Sequence, residues 1–528
     1  MSLKIRMHHG ARCVMVGLAL LLSACASSLR SDFTKTPSTA LAPATDTPAT
    51  ARIEAVAGEH PGQSGFHLLT NGTAALAARV IVADGAMHSL DVQYYIFAND
   101  ETGRLVAQRL LAAADRGVRV RLLLDDVQVL GKDKALTALD AHPNIEVRVY
   151  NPFMGRGGTL SKGFQFLGDS DRLNRRMHNK SFTADNRVSI IGGRNIADEY
   201  FDASEGANFR DLDVAAIGPV VAEISESFDT YWNSDAAYPI TAFKDNVATE
   251  EGMKKLRTIL AEKVREFATT PYATGAIAAT KEFLTSPKGV DWHWGATKLA
   301  VDTPEKSAAG GVEQSLRIGA SVRPMFDEAK SELIVISPYF IPGDAGVKFL
   351  SDIHGRGVKI RVLTNSLATN DVGAVHAGYA RYREPLLAAG VEIHELRPQE
   401  GTRTQEKWAA SHVVSLHAKS MIADGHIVFV GSMNMDPRSR VLNTEMGVLV
   451  DSVPLAEEVR VFYESAASPK NSYRLELVAP PNGKGSKHLE WVTEVNGVET
   501  RYTDEPDVSG WRRFKASFSR ILPIEGML

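Results

Sequence analysis

One nineteen-residue pattern occurs twice in this chain. Met177–Asn195 reads MHNKSFTADNRVSIIGGRN, and Leu416–Asn434 reads LHAKSMIADGHIVFVGSMN. Both fit H-x-K-x4-D-x6-G-[GS]-x-N without an insertion. With each specified position matching by chance about one time in twenty, a single match is improbable and two exclude accident. Alternate side chains of a strand share a face, so His178 and Lys180 are expected to point the same way, as are His417 and Lys419. Each strand then meets a polar turn, Asp185-Asn186 or Asp424-Gly425, followed by a second apolar strand. Each copy therefore predicts a hairpin that shows an imidazole and an ammonium on one side. The glycine-rich end lets backbone pass close to a bound group and delivers Asn195 or Asn434.

The flanking chain repeats as well. Leu90–Phe97 predicts a strand, Leu105–Arg116 a helix, Val118–Leu124 a strand, Lys134–Ala141 a helix and Ile145–Tyr150 a strand. In the second half, Leu333–Ile336, a helix around Ala345–Arg356 and Val358–Leu363 repeat the order. GVRVRLLL at Gly117 and GVKIRVLT at Gly357 lie 240 residues apart, and the two motif histidines 239 apart. A near-constant offset over that distance indicates duplication of a whole α/β domain, a sheet covered by helices, and excludes short solenoid repeats. Between the halves, Pro239–Glu313 has mixed helical character, and its Trp292-His293-Trp294 suits a packing or rim element. Asn471–Asp504 predicts short strands with a hairpin turn at Asn496-Gly497. Trp511–Leu522 predicts an amphipathic helix, docked on the body or lying on a membrane surface.

The N-terminus carries an address. Met1–Arg12 is basic, and Val14–Leu22 is a nine-residue apolar run, too short to span a bilayer and the length of a signal-peptide core. It ends in Leu22-Ser23-Ala24-Cys25, which resembles a bacterial lipobox. That resemblance implies cleavage before Cys25, lipid attachment to its sulfur and a place in the cell envelope facing the periplasm. Ala26 rather than an aspartate leans the sorting toward the outer membrane. An ordinary signal peptide with an incidental cysteine is the alternative. Ala26–Gly65 is rich in Ser, Thr, Pro and Ala and reads as a tether. The expected organisation is thus 1–24 signal segment, 25–65 tether, 66–300 first domain and 301–528 second domain.

The only two cysteines, Cys13 and Cys25, leave the body without a disulfide framework or a Cys-based metal site. Lys+Arg number 59 against 63 Asp+Glu, a net charge of −4, and losing Lys4, Arg6 and Arg12 with the leader makes it −7. That is not the footprint of a nucleic-acid binder. Two His, two Lys and two Asn converging on a pseudo-twofold axis make an anion pocket suited to a phosphate whose charge redistributes during displacement. Imidazole titrates near neutrality, so one copy can be a neutral nucleophile while the other is an acid. With no metal-ligand spacing beside the motifs, the expected chemistry is metal-free and cofactor-free.

The duplicated motif resembles that of the phospholipase D superfamily. The stretches SGFHLLTNGTAALAAR, DVQYYIFANDETG, NRRMHNKSFTADN, GGRNIADEYFDA, SPYFIPG, VHAGYARYREPLLAAGVEIHEL and LPIEGML are similar to the bacterial cardiolipin synthases of the C type. The resemblance implies two pseudo-symmetric α-β-α sandwich domains with the active site at their interface. It implies a catalytic set of His178, Lys180, Asp185, His417, Lys419 and Asp424, in which the two aspartates bond near the hairpin rather than touch substrate. His178 would form a phosphohistidine and His417 would serve as acid and base, although the residues alone leave that order open. Lys180, Lys419, Asn195 and Asn434 would hold phosphate oxygens, and Asp213 and Glu445 would orient the imidazoles. The implied substrates are phospholipids: phosphatidylglycerol, and phosphatidylethanolamine as a second donor. The alternatives are a hydrolase releasing phosphatidic acid and, against the acidic net charge, a nuclease. Tyr94, Tyr339, His376 and Tyr379 are candidates for the acceptor pocket, and each is equally compatible with the core.

Overall fold

Each half builds the same sheet, and the two sheets join edge to edge. The computed structural model describes residues 29–129, 131–156, 163, 165, 166, 168–285, 289–308, 317–398, 413–480 and 485–513. In the first half the strands are β1 Ser64–Leu69, β2 Ser89–Tyr94, β3 Arg119–Asp125, β4 Ile145–Tyr150, β5 Ser181–Ala184, β6 Val188–Gly192, β7 Ala207–Arg210, β8 Asp213–Ile217 and β9 Ala237–Pro239. In the second they are β10 His293–Val301, β11 Glu332–Ile336, β12 Lys359–Asn365, β13 Glu392–Leu396, β14 Val413–Leu416, β15 Ser420–Ala423, β16 Ile427–Gly431, β17 Met446–Asp451, β18 Ser472–Val478, β19 His488–Val495 and β20 Val498–Tyr502.

Strands β2, β3 and β4 pair in parallel, which requires crossovers. The helices Glu101–Asp115 and Asp133–Asp140 supply them. The hairpin β5–β6 then adds antiparallel beside β2, followed by β8 and β1. The second half repeats this with β11–β13 parallel, then β15, β16, β17 and β10. Antiparallel pairing of β1 with β10, Gly65 opposite Trp294, closes the seam into one eighteen-stranded sheet. Strand β10 is thus the counterpart of β1, and the second half begins near His293 rather than at residue 301. Trp294 lies in this seam, stacked on His60 with centroids 4.4 Å apart, so the tryptophan pair is a packing element.

Apolar cores lie on both faces. Each half has its own, and a third is shared: Phe66, Leu68, Val214 and Ile224 of the first half meet Ile336, Val430, Val448 and Val459 of the second. An apolar seam of this kind holds the halves in one relative position.

The segment expected to be a free tether is, from Leu29 onward, strapped to the first half. It has no core of its own, but its backbone is used by polar groups of the body. Arg121 is 1% exposed; it pairs with Asp91 at 2.7 Å and donates to the Ser38 carbonyl at 3.0 Å. Arg148 donates to the Thr36 carbonyl and Arg187 to that of Ala44. Pro48–Ala57 forms a helix capped by Thr47. Cys25, the signal segment, the LPIEGML stretch and all of the final helix beyond Arg513 lie outside the described residues. Among the described residues no helix is long and apolar enough to cross a membrane. Asn496 and Gly497 form the expected turn, both at positive φ.

Candidate active site

The motif hairpins are β5–β6 and β15–β16. Asp185 and Asp424 occupy their turns at φ 54° and 50°. Asp185 accepts the backbone N–H groups of Met87, His88 and Ser89 at 3.0, 2.7 and 2.9 Å. Asp424 does the same for Lys330, Ser331 and Glu332, with a further bond from the Ser331 hydroxyl. These amides lead into and open β2 and β11, so each aspartate clamps its hairpin to the neighbouring strand. Those bonds hold the Asp424 carboxyl down at about 2 although burial opposes them.

His178 and His417 sit just before β5 and β15, in extended chain that pairs with the opposite half. Met177 bridges Thr444 in parallel, and the His178 N–H donates to the Thr444 carbonyl at 2.9 Å. Symmetrically, β14 pairs in parallel with β7, and the His417 N–H donates to the Arg210 carbonyl at 2.8 Å. The residues following Thr444 and Arg210 are therefore delivered to the histidines of the other half. His178 Nδ1 lies 2.8 Å from Glu445 Oε2, and His417 Nδ1 lies 2.6 Å from Asp211 Oδ2.

Glu445 thus holds the orienting place expected of it, but across the interface, and Asp213 does not. Asp213 pairs with Arg79 at 2.9 Å and accepts the Arg194 N–H. The register gives the reason. Gly192 opposes Asp213 in β6–β8, and Gly431 opposes Gly447 in β16–β17, so Asp213 corresponds to Gly447 and Asp211 to Glu445. Aligning the apolar runs VAAI and VLVD would have revealed the two-residue shift.

The glycines also make room for this pairing. A Cβ on Gly193 would lie 2.1 Å from Asp211 Oδ1, and one on Gly192 2.5 Å from the Asp213 Cα. In the second copy Ser432 replaces Gly193, and its hydroxyl donates to Glu445 Oε2 at 2.5 Å. The Ser439 hydroxyl reaches the other oxygen at 2.7 Å.

Lys180 Nζ donates to the His178 carbonyl at 2.6 Å, and Lys419 Nζ donates to that of His417. Both lysines are 1% exposed. Burial pushes Lys180 down to about 7 and Lys419 to about 8, partly offset by Glu445 and Asp211. Burial also lowers His178 to about 4 against the pull of Glu445, and lowers His417, with Lys419 adding to the effect. Burial acts to raise Asp211, but His417 and Lys419 outweigh it and hold that carboxyl at about 2. Each histidine feels the lysine of the opposite half as well as its own, so the four groups form one cluster.

Tyr95 meets His178 edge-on at 5.2 Å; Tyr200 and Phe209 stand 5.0 and 5.1 Å from His417. None of these three was singled out from the sequence, although Tyr95 adjoins a candidate and Phe209 precedes RDLD. Asn195 is buried, with Oδ1 accepting from the Ile96 N–H at 3.1 Å. Of the acceptor-pocket candidates, Tyr94 is core, its hydroxyl accepting from Arg79. His376 and Tyr379 belong to a buried cluster around Arg383, where Glu395 and Glu505 neutralise the guanidinium. Tyr339 alone stands by the site, donating to Asp371 Oδ1 at 2.7 Å. Among the described residues no group of three or more His, Cys, Asp or Glu side chains is arranged to hold a metal ion.

Known proteins are similar to this chain. A family model described as "Cardiolipin synthase, PLD-like domain" matches residues 81–232 and 322–466, one motif copy in each. Cardiolipin synthase C of Escherichia coli is 40% identical over 484 residues, covering 89% of this chain and 97% of its own. A Helicobacter pylori protein is 32% identical over 475 residues, 88% of this chain and 90% of its own. The phosphatidylserine synthase of Haemophilus influenzae superposes with a TM-score of 0.51 at 12% identity, over 82% of this chain and 92% of its own, a likeness of fold. With both motifs whole and each histidine oriented from the opposite half, this chain belongs to the cardiolipin synthase PLD-like family and is a phosphatidyltransferase of the phospholipase D superfamily.

Proposed function

We propose that the protein makes cardiolipin by passing a phosphatidyl group from one phosphatidylglycerol to another through a phosphohistidine. The observation that carries this reading is the crossed pair of imidazoles, each fixed at Nδ1 by a carboxylate of the other half. An imidazole donating its Nδ1–H keeps a lone pair at Nε2. His178, held neutral, attacks phosphorus with that lone pair while the P–O bond to the leaving alcohol breaks. His417 as imidazolium, favoured by Asp211 and by the bound phosphodiester, gives the leaving oxygen its proton. It then takes a proton from the incoming hydroxyl as the new P–O bond forms and the P–N bond breaks. Lys180, Lys419, Asn195 and Asn434 hold the phosphate oxygens as charge shifts onto them.

The protein is held in the bacterial envelope by lipid on Cys25, facing the periplasm, with the outer membrane favoured by Ala26. Two or more acyl chains are needed for stable anchoring, since each buried CH₂ contributes roughly 0.8 kcal/mol. The test is incubation with labelled phosphatidylglycerol, with and without phosphatidylethanolamine. Cardiolipin is expected, with none from His178→Ala or His417→Ala. Phosphatidic acid as the sole product overturns the transfer reading, and activity retained in both variants overturns the mechanism. A labelled fatty acid fed to bacteria expressing the protein marks it, and Cys25→Ser removes that mark.

A further inference from the structure

The two halves treat their motif asparagines differently. The chain leaving β2 bridges the first motif at Phe97 and Ile196, and the chain leaving β11 bridges the second at Phe340 and Met435. Ile96 and Tyr339 therefore hold equivalent places beside Asn195 and Asn434. In the first half the Ile96 N–H satisfies Asn195 Oδ1. In the second, the Ser337 hydroxyl intervenes, accepting from the Met435 N–H at 3.1 Å and donating to the Tyr339 carbonyl at 2.7 Å. Among the described residues Asn434 Oδ1 is left buried without a partner, on a residue 8% exposed.

A buried amide oxygen without a donor costs free energy that a ligand can recover. Its surroundings are rich in acceptors. The Tyr339 hydroxyl spends its proton on Asp371 and keeps its lone pairs. Asp436 is 6% exposed and accepts from the Ser439 N–H at 2.7 Å. Both carboxylates act on Lys419, which places them within the field of the catalytic cluster. Phosphate oxygens only accept, so they can take the amide N–H of Asn434 but cannot satisfy its Oδ1 or the neighbouring acceptors. A ligand bearing hydroxyl donors can.

We propose that Asn434 Oδ1, the Tyr339 hydroxyl and Asp371 seat a polyol headgroup of the acceptor lipid, holding one hydroxyl while its neighbour attacks. This rests on the transfer reading above. The attacking oxygen forms its bond to phosphorus, the bond from phosphorus to His178 Nε2 breaks, and the proton passes to His417. The second hydroxyl keeps its proton and donates it to the seat. Water and simple alcohols lack that second donor, so the seat gives them no advantage.

The test is product partitioning in Tyr339→Phe and, as an exposed-site second variant, Asp371→Asn. Phosphatidylglycerol is the donor, with isotope-labelled free glycerol or ethanol as added acceptor beside water, so that transfer to glycerol is read as label entering phosphatidylglycerol. The ratio of glycerol transfer to hydrolysis is expected to fall about tenfold, while the ratio of ethanol transfer to hydrolysis changes less than twofold. Both ratios unchanged, or both falling together, overturns the seat. If the unsubstituted enzyme only hydrolyses, the transfer reading fails but the seat is still read, because the leaving headgroup occupies the place of the incoming one. Tyr339→Phe then raises KM for phosphatidylglycerol and not for phosphatidylcholine, and an equal change in both overturns it. A larger effect on phosphatidylethanolamine than on phosphatidylglycerol assigns the array to an ammonium and likewise overturns the polyol seat.

Discussion

The two halves share a backbone plan but differ in the carboxylate each lends to the other. Asp211, given by the first half, reaches His417 past Gly193, where even a methyl group would collide with it. Its Oδ1 takes the Leu212 N–H at 2.7 Å. Glu445, given by the second half, is longer by one CH₂ and is gripped by the hydroxyls of Ser432 and Ser439. Hydroxyl donors draw charge from Glu445 and so weaken its support for an imidazolium on His178. The duplication supplied two equal places, and these side chains support the two imidazoles unequally.

The largest expected effect comes from breaking either carboxylate. Asp211→Asn and Glu445→Gln should each lower lipid turnover on the order of 10²–10⁴-fold, since both tautomer and orientation of an imidazole are lost. A phosphatidyl ester of p-nitrophenol separates them, because that leaving group departs without protonation. Asp211→Asn keeps a burst of nitrophenol release in stopped-flow absorbance, whereas Glu445→Gln loses it. The opposite pattern would make His417 the nucleophile.

Much of this was legible in the chain. The hairpins, the first strand–helix–strand–helix–strand run and the first two strands of its repeat follow from period-two alternation and from spacing, which are local properties; the third strand of the repeat, Glu392–Leu396, was not foreseen. That Asp185 and Asp424 bond near the hairpin was implied by the family resemblance, and an aspartate at a turn has the chemistry for it. Crossing of the carboxylates was not, since it depends on β7 pairing with β14 and on the Met177–Thr444 bridge, contacts between residues more than 200 positions apart. Asp213 drew attention by position within RDLDV, but only strand register tells it from Asp211. The strap of residues 29–58 was hidden for another reason. Its own composition is that of a linker, and the groups that hold it, Arg121, Arg148 and Arg187, lie in the body.

The buried lysines give a middle-sized effect with a definite sign. Lys180 falls to about 7 in the folded protein from an ordinary 10.5. Between those values the unfolded chain binds more protons than the folded one, so stability rises with pH across that window. Below pH 7 the charged ammonium is buried at full cost. Lys180→Met removes this contribution, on the order of a few kcal/mol across the window. Thermal melts from pH 7 to 10 should therefore show the difference, unsubstituted protein minus variant, moving in favour of the unsubstituted protein. Parallel melting curves would mean that folding leaves the Lys180 ammonium with its ordinary pKa, and the desolvation argued for it would be overturned.

The smallest effect tests the asymmetry most directly. Ser432→Gly turns the second motif's Gly-Ser into the Gly-Gly of the first and removes one hydroxyl from Glu445 Oε2. The freed charge on that oxygen stabilises protonated His178, so its pKa rises from about 4. His178 must be neutral to attack, and the acid limb of kcat/KM for the free enzyme therefore moves to higher pH, by less than about one unit. Turnover at pH 7, well above that limb, should drop no more than about tenfold, since Ser439 still holds Oε1. Among the described residues Asp211 has no such hydroxyl to lose, and Gly193→Ser would instead drive a side chain into it, costing His417 its orientation at every pH. A shifted limb in one variant and a uniform loss in the other would show two halves that look alike tuned by different means. If both variants lose activity uniformly, Ser432 serves only to position Glu445, and the division of labour between the imidazoles must come from burial alone.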